Sequence, residues 1–210
     1  MTTASTTTGS PTTGSPTTAS STTGDRQSAR ERLLAAAEEL FYPEGVHTVG
    51  IDRVIERAGV AKATLYSLFG SKDELVRAYL LRHNQTWHDR LTGELTARYA
   101  DPRERLLGVF DVLGERSAEI DFHGCAFVNA VAETPPGGPL EGVCDSARGW
   151  VTDLFTDLAR QAGAADPVAL GRQLALLYHG ATLSARMDRD LTAASTARAA
   201  AVTLLDAATA

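Results

Sequence analysis

Residues 48–75 read T-V-G-I-D-R-V-I-E-R-A-G-V-A-K-A-T-L-Y-S-L-F-G-S-K-D-E-L, and this stretch decides the fold. Ile51, Val54, Ile55 and Ala58 recur at i, i+3, i+4 and i+7, which is one apolar face of a helix. Gly59 follows at once, where a left-handed C-cap residue is wanted. Val60, Leu65, Leu68 and Phe69 form a second apolar set, leaving Lys62, Thr64 and Ser67 outward and Tyr66 at the margin. A helix, a glycine turn and a short polar-faced helix make a helix-turn-helix layout, whose second helix enters a DNA major groove. Ser71 and Glu74 then form an S-x-x-E capping box that opens a longer helix.

Upstream, Ala29, Leu33, Ala36, Ala37, Leu40 and Phe41 line one face of a first helix. It is expected to start near Asp25 or Ser28 and to end at Pro43 and Gly45; Thr48 is a reasonable N-cap for the second helix. Residues 1–24 are Thr, Ser, Gly and Pro with a little Ala, too polar to offset the entropy of ordering. They read as a disordered tail, and without Arg or Lys they are no basic arm for a minor groove.

Downstream the chain stays helical. Leu75, Ala78, Tyr79 and Leu81 line a helix expected to run past Trp87 to about Leu95. Asp101-Pro102-Arg103-Glu104 and Asp166-Pro167 are cap-plus-proline starts. An apolar segment, G-C-A-F-V-N-A-V-A-E, occupies 124–133, and T-P-P-G-G-P at 134–139 interrupts any helix. Helical spacing returns from Leu140 to Gln161, from Pro167 to Met187, and from Thr192 to Ala207. No segment alternates with period two, so the fold class is all-α with about nine helices. We expect a tail at 1–24, a helix-turn-helix head at 25–71 and a helical body at 72–210.

The net charge of −6 is unevenly shared among the 210 residues. Nine Lys/Arg balance nine Asp/Glu over residues 25–85, whereas eleven Arg face seventeen Asp/Glu over 86–210. Both lysines, Lys62 and Lys72, lie in the opening stretch, so a locally basic head on an acidic body is compatible with DNA binding. Cys125 and Cys144 are too few for a disulfide framework or a four-ligand zinc site. No apolar run reaches membrane-spanning length and the N-terminus has no secretory h-region. A cytoplasmic protein with no membrane partner is expected.

The amphipathic first helix, the run I-D-R-V-I-E-R-A-G-V-A-K-A-T-L-Y-S-L-F-G-S-K-D-E-L and the helical body resemble the TetR-type (tetracycline-repressor-like) transcriptional regulators. The detailed match covers about residues 29–81, and G-C-A-F-V-N-A also looks like a segment of many such regulators. The resemblance implies a homodimer with two reading heads and a body that binds a small-molecule effector, with no cofactor and no catalysis. The expected role is a repressor released from a pseudo-palindromic, double-stranded operator. It also implies that Lys62, Ala63 and Thr64 approach base edges while Tyr66, Ser67 and Lys72 grip phosphate; Thr48 is counted with this DNA-binding set. Lysine can donate to guanine O6 and N7, and small side chains pack on the thymine methyl. Two residues depart from the family: Ala61 where a capping Ser is common, and Leu68 where a polar group or His is common.

For the effector, Trp87, Phe110, Phe127, Trp150, Phe155, Tyr178 and His179 are candidates to line a cavity, with His123 and Asn129 as polar neighbours. Asn129 in an apolar run must find a partner, either backbone or ligand. The small residues Ala181, Ala185, Ala194, Ala197 and Ala201 suit a close helix contact across a dimer. Alternatives are a thiol sensor using Cys125 and Cys144, a metal sensor that adds His123, and a small helical carrier or enzyme. Against the enzyme, no G-x-S-x-G, H-E-x-x-H or phosphate-loop pattern occurs.

Overall fold

The computed structural model describes residues 1–2, 28–132 and 140–210, and for 141 and 144–148 the backbone alone. The expected tail, apart from its first two residues, and the break at 134–139 lie outside the described residues. Nine helices occur among the described residues: α1 (Ala29–Glu44), α2 (Ile51–Ala58), α3 (Lys62–Phe69), α4 (Lys72–Arg98), α5 (Pro102–Ser117), α6 (Ala126–Ala132), α7 (Glu141–Gln161), α8 (Pro167–Met187) and α9 (Ala193–Thr209).

Their starts follow local chemistry. Ser28, Ser71, Asp101 and Asp166 each accept a hydrogen bond from the backbone N–H three residues on, which satisfies a donor the helix leaves open. Pro102 and Pro167 occupy first positions, where a missing N–H costs nothing. One cap is not where sequence put it. Gly50, not Thr48, precedes α2, and no side chain caps that helix; Thr48 lies in the turn between α1 and α2, exposed. The chain needs that whole turn to bring Val46 and Val49 under the head, both of them buried.

Two apolar clusters organise the packing. One joins α1–α3 and the first half of α4, through Leu33, Ala37, Val54, Leu65, Leu75 and Leu80. Ala126, Phe127 and Ala130 of α6 and Val143 of α7 belong to this same cluster. The other fills the body between the second half of α4, α5, α7, α8 and α9, around Phe110, Phe155, Leu174 and Leu205. Helix α5 is its centre, touching α4, α7, α8 and α9. Where α8 crosses α7 the backbones approach closely: a Cβ at Gly171 would fall 2.9 Å from the Thr156 backbone. Helix α4 runs through both clusters.

The alanines expected at a dimer contact are interior. Ala181, Ala185, Ala194, Ala197 and Ala201 are all at most 7% exposed and seal α8 and α9 within the chain. The faces of α8 and α9 turn on which side meets α5, and that side took the small residues. Outward, α8 presents Leu176 (74% exposed), Leu183 (48%) and Met187 (72%), which share one face by helical spacing.

Candidate functional site

Helices α2 and α3 form the exposed end of the head. Arg53 of α2 grips the Glu44 carboxylate at 2.7 and 2.9 Å, and Arg57 pairs with Glu39, so α2 is clamped along α1. The Arg53 hydrogen bonds hold the Glu44 carboxyl below its usual range. Gly59 takes φ 62° and ψ 44°, the left-handed cap, and the next amide, Val60, donates to the Ile55 carbonyl at 3.1 Å. That turn sets α3 against the head by one fully buried residue, Leu65. Ala61 precedes α3 in extended conformation without a side-chain cap bond.

The rest of α3 is open. Lys62, Ala63, Tyr66, Ser67 and Leu68 are exposed and Thr64 is half-buried. Phe69 is half-buried, with the Arg30 guanidinium 5.4 Å from its ring centre. Lys72 follows as the first residue of α4, where Ser71 caps and the leading amides have no intrahelical acceptor. Ammonium, phenol, hydroxyl and backbone donors therefore sit along one short stretch, the donor set that phosphate oxygens require. Lys62 Nζ already has a partner, Asp52 Oδ1 at 3.0 Å.

The expected effector residues separate into two groups. In the body, Phe110 and Phe155 are fully buried with ring centres 5.4 Å apart, and Tyr178 meets Phe155 edge-on at 6.1 Å. Trp87 Nε1 donates to the Tyr178 hydroxyl at 3.0 Å, and His179 stands 5.7 Å from Tyr178. Burial pushes the Tyr178 hydroxyl well above the usual phenol range. Trp150 stacks on His88, ring centres 3.4 Å apart. The buried His88 Nε2 has no hydrogen-bond partner among the described residues. Burial lowers the His88 imidazole, against the raising influence of Asp89.

Phe127, His123 and Asn129 lie elsewhere, at the joint between head and body. Phe127 packs into the head cluster rather than beside Phe110. The Asn129 side-chain amide donates to the His123 carbonyl at 3.0 Å, so its partner is backbone. Tyr42 at the end of α1 ties the joint together. Its hydroxyl donates to the Gly124 carbonyl at 2.9 Å and accepts from the His123 amide at 3.1 Å. The His123 ring meets Tyr42 edge-on at 5.2 Å, and the His83 ring of α4 lies 4.8 Å from the Tyr42 ring. Burial lowers the His123 imidazole, with Arg186 and Arg116 acting the same way.

Cys125 is also at this joint. Burial raises its thiol, outweighing the hydrogen bonds from the Val128 and Phe127 amides. The side chain of Cys144 lies outside the described residues, and with it the expected Cys125–Cys144 pair and the metal set containing His123.

Residues 33–79 match the family of bacterial regulatory proteins described as the tetR family. FasR, an HTH-type transcriptional activator of Mycolicibacterium smegmatis, is 48% identical over 58 residues, covering 28% of this chain and 26% of FasR. NemR, an HTH-type transcriptional repressor of Escherichia coli, is 28% identical over 169 residues, covering 76% of this chain and 85% of NemR. SCO4454, a TetR-family transcriptional regulator from Streptomyces coelicolor, superposes with a TM-score of 0.79 at 33% identity. That superposition covers 87% of this chain and 96% of SCO4454.

The chain belongs to the TetR family. It is a helix-turn-helix transcriptional regulator, of a kind that binds DNA and is not an enzyme. Within the TetR framework three residues gain importance that sequence reading passed over. Asp52 reads as an ordinary acidic residue in the first turn of a helix, yet it holds Lys62. Tyr42 reads as the end of α1, and its signal is only a polar-tipped aromatic beside Phe41. His88 stands in no motif, and its stacking depends on where α7 crosses α4. No described helix is long and apolar enough to cross a membrane.

Proposed function

We propose that the chain is a homodimeric, ligand-responsive repressor that reads a pseudo-palindromic operator in the cytoplasm. The observation that supports this most is the open face of α3 running into the capped start of α4. Lys62, Ala63 and Thr64 meet base edges, and Tyr66, Ser67 and Lys72 grip phosphate. Thr48, exposed before α2, borders this set. Two such heads related by a twofold axis place their recognition helices about 34 Å or more apart, one helical turn of DNA. The stripe Leu176, Leu183 and Met187 on α8, with α9 beside it, supplies the dimer contact, because exposed apolar side chains at this spacing need a partner surface.

The effector enters between α4, α7 and α8, where Trp87, His88, Trp150 and Tyr178 meet. Its apolar part would part the rings, and a hydrogen-bonding group would satisfy His88 Nε2, which the described residues leave unpaired. Phe110, Phe155 and His179 form the inner wall, while Phe127, His123 and Asn129 couple the wall to the head. A ligand acts only through its differential affinity for the bound and released arrangements.

Gel shift of the purified protein on its own upstream DNA is the direct test. Tyr66→Phe combined with Lys72→Ala should abolish the shifted band at concentrations where the wild type is saturated. An unchanged band would remove the reading head from α3. A thermal-shift screen of small molecules locates the effector, since a bound ligand raises stability by mass action.

A further inference from the structure

Asp52 belongs to neither apolar cluster of the described residues. It is the second residue of α2, and its side chain is 81% exposed. Clamping of α2 onto α1 is done by Arg53 and Arg57. Asp52 instead reaches across the turn to Lys62, the first residue of α3, with Oδ1 and Nζ 3.0 Å apart. The ammonium lies at a helix N-terminus, where the backbone dipoles oppose a cation, and the carboxylate offsets that opposition. Both groups remain in solvent, Lys62 being 56% exposed, so neither is buried away from an approaching ligand.

We infer that Asp52 is a specificity-determining residue, which together with Lys62 selects a C·G base pair in each operator half-site. The inference rests on α3 being the recognition helix. A carboxylate at the DNA-facing end of α2 is repelled by phosphate and by the acceptors guanine O6 and N7 and thymine O4. Of the two amino donors in the major groove, adenine N6 stands beside its own N7 acceptor, which repels a carboxylate, whereas cytosine N4 has no such neighbour on its base and is the donor that carboxylates pair with. The ammonium beside it donates to guanine O6 or N7. Cytosine N4 and guanine O6 of one pair are themselves hydrogen-bonded, so they lie side by side, as the carboxylate and ammonium do. A T·A pair offers Asp52 a methyl group and an acceptor at the same place. The carboxylate also holds Lys62 back from indiscriminate phosphate contact, so sequence choice comes with weak non-specific binding.

The test uses the full-length protein and a pool of randomised duplexes, comparing the wild type with Asp52→Asn and Lys62→Met. Circular dichroism confirms that each variant keeps its helix content; both side chains are exposed. The wild type should require C·G at one symmetric position. Each variant should lose about tenfold of its preference there and keep its preferences elsewhere. Asp52→Asn should also bind unrelated DNA more tightly, with a salt slope steeper by about one per head, because Lys62 is released to phosphate. An Asp52→Asn profile identical to the wild type at every position overturns the inference while leaving the reading head standing. A wild type that enriches no sequence at all overturns both.

Discussion

At the scale of single residues, phosphate grip and base choice should separate cleanly in mutants. Tyr66 and Lys72 are exposed or half-buried and neither packs into the core, so their removal should leave the fold intact. Lys72→Ala should weaken binding about equally for all DNA sequences and reduce the salt slope by about one per head, read by fluorescence anisotropy across a salt series. His88 gives a second expectation, in pH. Burial lowers its imidazole below the ordinary 6.5, so the fold favours the neutral ring. As pH falls, the unfolded chain takes up the proton first; stability is whole above the ordinary value and declines as pH drops through it towards the folded one. His123 is lowered too and acts in the same direction. Thermal melts should therefore give a lower midpoint at about pH 5.5 than at about pH 7.5. His88→Gln should shrink that difference, and an unchanged pH dependence would assign it to other groups.

At the scale of elements, the start of α3, like that of α2, has no side-chain cap. Ala61 already has the extended backbone of a cap residue but no side-chain oxygen to offer. Ala61→Ser should stabilise the protein by about 1 kcal/mol in chemical denaturation, the worth of an ordinary N-cap. Gly59→Ala should cost about 1–2 kcal/mol, since an added Cβ meets no atom there and the whole cost is the left-handed backbone. Such elements were legible in sequence because their signals are local. Asp101-Pro102, Asp166-Pro167 and Ser71-Glu74 cap helices with atoms three residues apart, and Gly59 caps α2 by its own conformation. What was not legible depends on long-range packing. The alanines of α8 and α9 look the same whether they meet α5 or a second copy. Phe127 looks like one more ring lining a cavity of the body until α6 is seen lying on the head. The cap falls at Gly50 rather than Thr48 because two further residues are needed to turn the chain under Val49.

At the scale of the molecule, the outward stripe of α8 carries the dimer expectation. Leu176→Glu combined with Leu183→Glu places charges at the centre of that contact and leaves the interior untouched. Sedimentation should then report a monomer, and operator affinity should fall by more than the loss of any one phosphate contact, because two linked heads gain from effective concentration. A dimer that survives both substitutions would move the contact off α8. Helix content and melting midpoint should stay near the wild type in either case, since both leucines are exposed.

Helix α4 has 27 residues, begins at the head with Lys72 and ends in the body at Arg98. At 1.5 Å per residue it is a rod of about 40 Å. Such a rod works as a lever with a long arm: tilting it by about 5° sweeps its far end by about 3.5 Å, close to the rise of one base step. In the proposed switch, the tip displaced would be the one carrying Lys72. A disturbance among the rings around Trp87 too small to repack the body would still put a phosphate grip out of step with the duplex by a whole rung.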